Sequence, residues 1–322
     1  MTKKIIFMGT PQFAAEVLQG LLSTEYEVIA VVTQPDRPVG RKRVLTPPPV
    51  KVLAVEHGIE VYQPEKISKS PEMTALIELE ADLIVTAAYG QYVPTTLLNA
   101  PRYSAINVHA SLLPKYRGGA PIHYAIWQGE EETGISIMYM TREMDAGDIL
   151  AQRTIPIEKT DDVGGMFVKL AEVGRDLLLD ILPKLFNHEI EAQPQDSSQV
   201  TYSPTISKEQ EQLNWEQTAQ QIDYHVRGFR PFPSVYTWMN DQRVKVWQGV
   251  PFNEEKLSQT NTAAKAGTIV AVEDESLIVQ CGKGTFYAIQ EWQESGKKRM
   301  LIADFLKGNS PETMIGQQFE IK

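Results

Sequence analysis

At 322 residues the chain is longer than most single hydrophobic cores, so two domains are expected. Hydrophobic residues make up 42% of the chain and charged residues 22%, a balance that excludes an intrinsically disordered protein. The formal net charge of -10 excludes a protein that attracts nucleic acid over its whole surface, so any such contact must be local.

Cysteine content and apolar runs bear on compartment and membrane contact. The chain carries one cysteine, Cys281, which excludes an internal disulfide framework and a cysteine-rich zinc site. Because Cys281 lies in a β-rich stretch, an inert thiol is favoured over a nucleophile. Apolar runs such as residues 83–88 are far shorter than the roughly 20 residues that cross a bilayer, and the first residues do not resemble a secretory signal. A cytoplasmic protein without membrane contact or bound metal is therefore expected.

The first two thirds of the sequence alternate between strand and helix patterns. Strands are predicted where short apolar runs occur, over residues 3–9, 27–34, 81–90, 104–110, 134–140 and 148–157. Helices are predicted where apolar residues recur at helical spacing, over residues 11–23, 50–58, 71–80, 120–130 and 166–185. This alternation is typical of a parallel sheet with helices on both faces, and it predicts a Rossmann-like α/β domain over residues 1–189.

Composition changes near Ile190. Residues 190–209 are polar, contain proline and follow neither hydrophobic period, so a linker is predicted there. Beyond it, short β runs separated by turn residues are found at 243–250, 266–273, 276–282 and 284–292. Regular short strands of this kind predict that residues 210–322 form a small, OB-like β-barrel.

Two polar side chains lie at the end of the predicted strand 104–110. Because strand side chains alternate between faces, Asn107 and His109 project to the same side, about 6 to 7 Å apart along the chain. In an open α/β sheet, ligands bind beyond the carboxyl ends of the strands. An amide and an imidazole that point the same way there can hold one carbonyl oxygen between them. A pair of structural polar residues is the alternative interpretation.

The loop between the last two predicted strands adds two carboxylates, Asp145 and Asp148. A carboxylate near His109 can orient the ring or accept a proton through water. Aspartates beside Gly147 are also ordinary turn formers. Spacing alone does not distinguish Asp145 from Asp148.

The motifs that are absent from the sequence narrow the chemistry. The chain contains no HExxH pattern, no GxxxxGK phosphate loop and no nucleophile elbow. The first predicted βα turn has one glycine where a dinucleotide fingerprint has three. An oxyanion pocket with a nearby carboxylate remains, and it suits transfer of a carbonyl group to an amine through a tetrahedral adduct.

These segments together resemble one known family. Residues 107–114 (NVHASLLP), followed by 116–122 (YRGGAPI) and 144–150 (MDAGDIL), are similar to the signature of the folate-dependent formyltransferases. Further similar segments extend from residues 5–14 to residues 244–247, so the resemblance covers nearly the whole chain. It implies that 10-formyltetrahydrofolate donates a formyl group to the α-amino group of methionine on initiator tRNA.

The resemblance also implies roles for particular residues. Asn107, His109 and Asp145 match the catalytic trio of the family, with Asn107 and His109 binding the oxyanion and Asp145 relaying protons. The folate-binding segment of the family matches four consecutive residues, which are Ser111, Leu112, Leu113 and Pro114.

Two short basic clusters are candidates for local tRNA contacts. The first corresponds to a basic insertion that in this family approaches the acceptor end of tRNA, and it contains Arg37, Arg41, Lys42 and Arg43. The second lies in the C-terminal domain and contains Lys297, Lys298 and Arg299. So small a number of cations can contact only a few phosphates. The affinity for tRNA is therefore expected to depend only modestly on salt concentration. The chain is expected to act as a monomer.

Three alternatives share parts of this pattern. A glycinamide-ribonucleotide formyltransferase needs a Gly-rich phosphate loop after the first strand, which residues 8–14 lack. A formyltransferase that acts on a nucleotide-linked amino sugar also carries a barrel-like second domain, and the basic cluster at residues 37–43 argues against it. A non-catalytic tRNA-binding or folate-binding module would not need Asn107, His109 and Asp145 together.

Overall fold

The computed structural model describes residues 2–40, 42–257 and 264–321. The chain folds into two compact units, each built from segments that lie apart in the sequence. The first unit comprises Met1–Pro121, Glu132–Pro156 and Phe167–Pro204. The second unit comprises Ile122–Glu131, Ile157–Met166 and Thr205–Lys322.

The first unit is an α/β structure built around one main sheet. Its strands are β1 (Lys4–Gly9), β2 (Glu27–Val32), β3 (Arg37–Val39), β4 (Val44–Thr46), β5 (Val61–Tyr62), β6 (Leu83–Ala87), β7 (Ala105–His109), β8 (Glu132–Tyr139) and β9 (Ile149–Pro156). Its helices are α1 (Gln12–Leu22), α2 (Pro49–Glu56), α3 (Pro71–Glu78), α4 (Thr95–Leu98) and, from Phe167 onward, α6 (Val163–Phe186). Helix α5 (Pro121–Trp127) falls in the second unit from Ile122 onward.

The main sheet has the strand order β5-β2-β1-β6-β7-β8-β9. Strands β5, β2, β1, β6 and β7 pair in parallel, which confirms the predicted Rossmann-like architecture. The sheet is mixed, however, because β8 runs antiparallel to β7 and β9 runs antiparallel to β8. An apolar strand sequence does not encode direction, and the short loop between β8 and β9 permits only a reversal of the chain.

Helices cover both faces of this sheet, as predicted. Ala105 of β7 belongs to a core that also contains Leu76 of α3 and Leu97 of α4. On the other face, Val108 of β7 lies against Gly174 of α6, where an added methyl group would be 2.9 Å from the valine side chain. Positions three apart on a strand point to opposite faces, so the two contacts belong to different helix layers.

Arg37, Lys42 and Arg43 of the first basic cluster lie on a β-hairpin, in which β3 and β4 pair antiparallel. Three apolar side chains of this hairpin are largely exposed, at 57% for Val39, 60% for Val44 and 64% for Leu45. The hairpin therefore presents apolar as well as basic groups to its surroundings.

Residues 190–204, predicted as part of a linker, pair with other segments of the first unit. Gln193 forms an antiparallel bridge with Ile149, and Tyr202 forms a parallel bridge with Arg117. The backbone N–H of Arg117 donates to the carbonyl of Thr201 at 2.9 Å. The segment thus lies along both the loop that follows β7 and the loop that precedes β9.

The second unit confirms the predicted β-rich domain. Its strands are β10 (Val235–Met239), β11 (Gln242–Phe252), β12 (Ile269–Glu273), β13 (Ser276–Gln280), β14 (Phe286–Glu294) and β15 (Met300–Leu301). The remaining helices are α7 (Ala219–Phe229), α8 (Ile302–Leu306) and α9 (Pro311–Met314). Antiparallel pairing gives the order β10-β11-β14-β13-β12, with β15 on β14. Helix α7 begins at a capping box formed by Thr218 and Gln221, and its apolar face packs on the sheet.

The C-terminal segment joins the two edges of this antiparallel sheet. Gln318 forms a bridge with Thr268, at the start of β12, and Glu320 forms one with Trp238 of β10. The N–H of Glu320 donates to the carbonyl of Trp238 at 2.8 Å. Backbone pairing therefore continues from one edge strand to the other, which gives the unit its barrel-like character.

A histidine is buried in the core of the second unit. His225 of α7 donates from Nε2 to the carbonyl of Gln210 at 2.7 Å and stacks on the Trp127 ring, with 4.9 Å between the ring centroids. Burial lowers the pKa of His225 to about 4. The ring is therefore neutral near pH 7.

In the described part of the chain, no helix combines the length and the apolar character needed to span a membrane.

Candidate active site

The candidate site begins at the carboxyl end of β7. Asn107 and His109 share the face of the sheet that carries Ala105, because all three are odd positions of one strand. His109 is 6% exposed, whereas Asn107 is half-buried. The buried imidazole is thus held by the protein, and the amide lies where it can be reached from outside.

The His109 ring is oriented by two neighbours. Its Nε2 lies 3.1 Å from the carbonyl oxygen of Tyr116, and a carbonyl only accepts, so Nε2 carries a proton. Its Nδ1 lies 3.7 Å from Oδ2 of Asp145. In the neutral ring Nδ1 is therefore the unprotonated nitrogen, whereas the imidazolium can donate from Nδ1 beside a carboxylate.

The loop between β8 and β9 brings Asp145, not Asp148, to the imidazole. The Asp145 side chain is 12% exposed, and its Oδ2 accepts a hydrogen bond from the backbone N–H of Gly118 at 2.8 Å. Asp148 is exposed. The geometry therefore separates two aspartates that spacing alone left equivalent.

The amide of Asn107 is oriented from the neighbouring strand. In the register of β6 and β7, Thr86 is the partner of Asn107, and its hydroxyl donates to Oδ1 of Asn107 at 2.7 Å. Nδ2 is the donor of this amide, and it makes no hydrogen bond with any residue that the structure describes. Thr86 thus directs a free N–H donor outward on the face that carries His109.

Sequence reasoning missed Thr86, Tyr116 and Gly118. The first sits in a continuous apolar run, and only the pairing register of two strands places it beside Asn107. The other two act through backbone groups, which carry no side-chain signature. The glycine pair at residues 118 and 119 could have drawn attention to Gly118, whose φ of +124° requires glycine.

The predicted folate segment forms a tightly bonded turn after β7. The hydroxyl of Ser111 donates to the carbonyl of Lys115 at 2.7 Å, and the N–H of Leu113 donates to the hydroxyl of Ser136 at 3.0 Å. Ser111 and Leu113 are buried, whereas Leu112 and Pro114 are partly exposed. In this segment Leu112 and Pro114 provide the side-chain surface that a ligand can contact.

The predicted tRNA contacts in the first unit differ in their pairing. Arg37 forms an exposed ion pair with Glu65 at 2.5 Å. Lys42 and Arg43 are exposed at the hairpin turn. Arg41 lies outside the described residues. Lys42 and Arg43 are thus the hairpin cations that present their charge to solvent.

The predicted tRNA contacts in the second unit lie between β14 and β15. Lys297 pairs with Glu294 at 2.7 Å, and Arg299 pairs with Glu291. Lys298 is exposed. Two of these three consecutive cations have carboxylate partners. The positive electrostatic potential here is therefore weaker than the sequence alone indicates.

A metal cluster and a reactive thiol are two other kinds of reactive centre. Within residues 2–40, 42–257 and 264–321, no three His, Cys, Asp or Glu side chains cluster as metal ligands. Cys281 is 2% exposed, and burial raises its pKa to about 12. The thiol is therefore neutral and shielded, as expected for an inert cysteine.

The site has the parts needed for acyl transfer to an amine. The free amide donor of Asn107 and the imidazole of His109, which is paired with a carboxylate, lie on one face of the sheet at the carboxyl end of β7. The partly exposed turn at residues 111–114 follows directly. Two family models match the chain and define the same class: "Formyl transferase" covers residues 3–182, and "Formyl transferase, C-terminal domain" covers residues 205–310.

Close relatives specify the family further. The chain is 53% identical to methionyl-tRNA formyltransferase of Lactiplantibacillus plantarum over 98% of both chains, and 53% identical to that of Enterococcus faecalis over 95% of this chain and 96% of the relative. This chain belongs to the methionyl-tRNA formyltransferase family.

A solved structure supports the fold. The N-formyltransferase from Helicobacter canadensis, determined in complex with folinic acid and dTDP-3-aminofucose, matches with a TM-score of 0.67 over 90% of this chain and 99% of that one. Its sequence identity is 18%, so the likeness concerns the fold alone.

Proposed function

We propose that this chain transfers the formyl group of 10-formyltetrahydrofolate to the α-amino group of methionyl initiator tRNA. The observation that carries the proposal is the pairing of His109 with Asp145 at the carboxyl end of β7, the strand whose same face carries Asn107, in a chain 53% identical to named enzymes of this activity. 10-Formyltetrahydrofolate is a co-substrate here, and the product tetrahydrofolate leaves after each turnover.

The chemistry divides among the three side chains. The methionine amine attacks the formyl carbon, and the carbonyl oxygen becomes an oxyanion that Nδ2 of Asn107 and the His109 imidazolium stabilise. Asp145 stabilises the imidazolium and accepts, directly or through water, the proton that the attacking nitrogen releases. The oxyanion then re-forms the carbonyl as the bond from carbon to the folate nitrogen breaks, and that nitrogen takes up the proton that Asp145 accepted, directly or through water.

Donor binding is proposed for the turn at residues 111–114. Leu112 and Pro114 offer apolar surface, and the hydrogen bonds of Ser111 and Leu113 keep this surface in place. A rigid wall beside the amide donor of Asn107 suits a reaction that depends on positioning.

We further propose that the chain acts as a cytoplasmic monomer, with a catalytic domain at 1–189, a linker at 190–209 and a tRNA-binding domain at 210–322. The exposed cations at the hairpin and at Lys298 support local tRNA contacts on a chain whose net charge is -10.

Competition between acceptors tests the substrate. Purified protein is given 10-formyltetrahydrofolate with equal amounts of charged initiator tRNA and a nucleotide-linked amino sugar. We expect formylmethionyl-tRNA to accumulate first, and light scattering by size-exclusion chromatography reports the oligomeric state in parallel. Preferential formylation of the sugar would reassign the acceptor.

Substitution of the hairpin cations tests the tRNA contact. Lys42→Ala with Arg43→Ala is expected to raise the KM for tRNA and to reduce the slope of log KM against log salt by about two, because two phosphate contacts are lost. A matched control, Lys159→Ala with Lys184→Ala, removes two exposed cations from other segments. Equal effects of both pairs would show that net charge alone is responsible.

A further inference from the structure

Both polar atoms of the Gln195 side chain, Nε2 and Oε1, are fully used in hydrogen bonds. Its Nε2 donates to the carbonyl oxygens of Asp145 and Gly147, both at 2.8 Å. Its Oε1 accepts from Nε and Nη2 of Arg117, at 3.1 Å and 2.8 Å. An amide has two donor hydrogens and two acceptor positions, so this set saturates it. Gln195 therefore has one fixed orientation, with its donors on the loop that carries Asp145.

The backbone that Gln195 holds is unusual. Asp145 has a φ of +53°, in the left-handed region that a non-glycine residue rarely adopts. Two residues later, a side chain at Gly147 would collide with the Tyr139 carbonyl, since its Cβ would lie 1.9 Å from that oxygen. Such a conformation persists only where its surroundings over-determine it. The two hydrogen bonds from Gln195 span this turn.

Arg117 links the side chain of Gln195 to the segment that holds the Asp145 carboxylate. Its side chain is 8% exposed, and Nη1 also lies 3.3 Å from the exposed carboxylate of Glu143. The next residue, Gly118, donates its N–H to Oδ2 of Asp145. The same short segment thus fixes the carboxylate directly and the main chain of Asp145 through Gln195.

We infer that Gln195, anchored by Arg117, is a positioning residue for Asp145 in the formyl transfer reaction. It holds the left-handed turn that keeps the carboxylate beside Nδ1 of His109. Gln195 does not touch the reacting atoms, and it acts through Asp145. The inference rests on the proposed role of Asp145 in catalysis.

Two substitutions separate the contacts of Gln195. Gln195→Glu keeps an acceptor for Arg117 but replaces both donors with an oxygen that faces two carbonyl oxygens. Gln195→Leu removes the acceptor as well. Gln193→Ala is a matched control two residues away, because Gln193 is exposed and, among the described residues, its side chain hydrogen-bonds only to the Glu191 carbonyl, at 3.4 Å.

The expected result is a loss of turnover without a loss of donor binding. A displacement of about 1 Å at a reacting group lowers rates by about 100-fold, and we expect a kcat loss of this size for Gln195→Glu. The dissociation constant for folate should stay unchanged, and Gln193→Ala should turn over like the parent protein. Thermal unfolding of each variant identifies any variant that is not folded.

A kinetic double-mutant cycle distinguishes positioning from general stabilisation. If Gln195 acts through Asp145, the kcat loss caused by Gln195→Glu disappears when Asp145→Asn is already present. A structural role predicts the same fold-loss in both backgrounds, and that outcome overturns the inference. Parent-like turnover of both Gln195 variants also overturns it.

Failure of the underlying proposal has a different signature. If Asp145→Asn alone keeps parent activity, Asp145 is not catalytic and the proposed mechanism fails before the cycle is measured. If Asp145→Asn is impaired and neither Gln195 variant is, the mechanism stands and the positioning inference alone is wrong.

Discussion

The replacement Asp145→Asn is the most direct test of the site. Asparagine has the shape of aspartate and can still accept the N–H of Gly118 through Oδ1. What changes is the negative charge 3.7 Å from Nδ1 of His109. The substitution therefore measures the electrostatic contribution of the carboxylate and leaves the loop otherwise intact.

The distance between Nδ1 of His109 and Oδ2 of Asp145 determines the expected size of the effect on kcat. At an effective dielectric constant of about 20, two unit charges 3.7 Å apart attract by ~4.5 kcal/mol. If this attraction is used when the His109 imidazolium faces the oxyanion, its loss lowers kcat by roughly 1,000-fold. Donor binding, which does not depend on the charge of the ring, should be unchanged.

Single-turnover formylation of charged initiator tRNA, with folate affinity measured separately, provides the assay. Asp148→Asn is the control, because it removes an exposed carboxylate from the same loop. A single-turnover rate constant for Asp145→Asn close to that of Asp148→Asn would refute the assignment of the carboxylate to catalysis.

Three further predictions concern single side chains. Thr86→Val removes the donor to Asn107 Oδ1 and should lower kcat by about tenfold, the effect of one hydrogen bond, whereas Thr86→Ser should restore it; equal rates in both contradict the role of the hydroxyl. Burial lowers the pKa of His225 in the folded protein to about 4, below the ordinary histidine value of 6.5. The unfolded chain therefore binds the proton more readily, and the free energy of unfolding falls by about 3 kcal/mol as pH drops from 6.5 to 4. His225→Phe should flatten this pH dependence of the melting temperature, and an unchanged profile would exclude His225 as its source. Cys281 should react with Ellman's reagent only after denaturation, and rapid labelling of the native protein would disprove its burial.

Local patterns in the sequence were sufficient to predict much of the fold and part of the candidate site. Period-two alternation was sufficient to place Asn107 and His109 on one face of β7, because that relation depends on one strand alone. Choosing between Asp145 and Asp148 required the loop conformation, with Asp145 at a φ of +53°. Loop dihedrals follow from long-range contacts, and no periodicity reports them.

Contacts between distant segments account for what the sequence did not predict. Thr86 meets Asn107 through the register of two parallel strands, and Gln195 reaches Asp145 from a stretch whose polar composition indicated a linker. A polar residue on the surface and a polar residue that holds a loop have the same hydropathy. Only their hydrogen-bond partners distinguish them.

The bridges made by Gln318 and Glu320 have a practical consequence for handling the protein. A chain cut before these residues would leave the N–H and C=O groups of β10 and β12 open to strands of other molecules, which is how edge-to-edge aggregation begins. A purification tag at that end therefore needs a spacer, and shortened versions used for crystallisation should stop no earlier than residue 321.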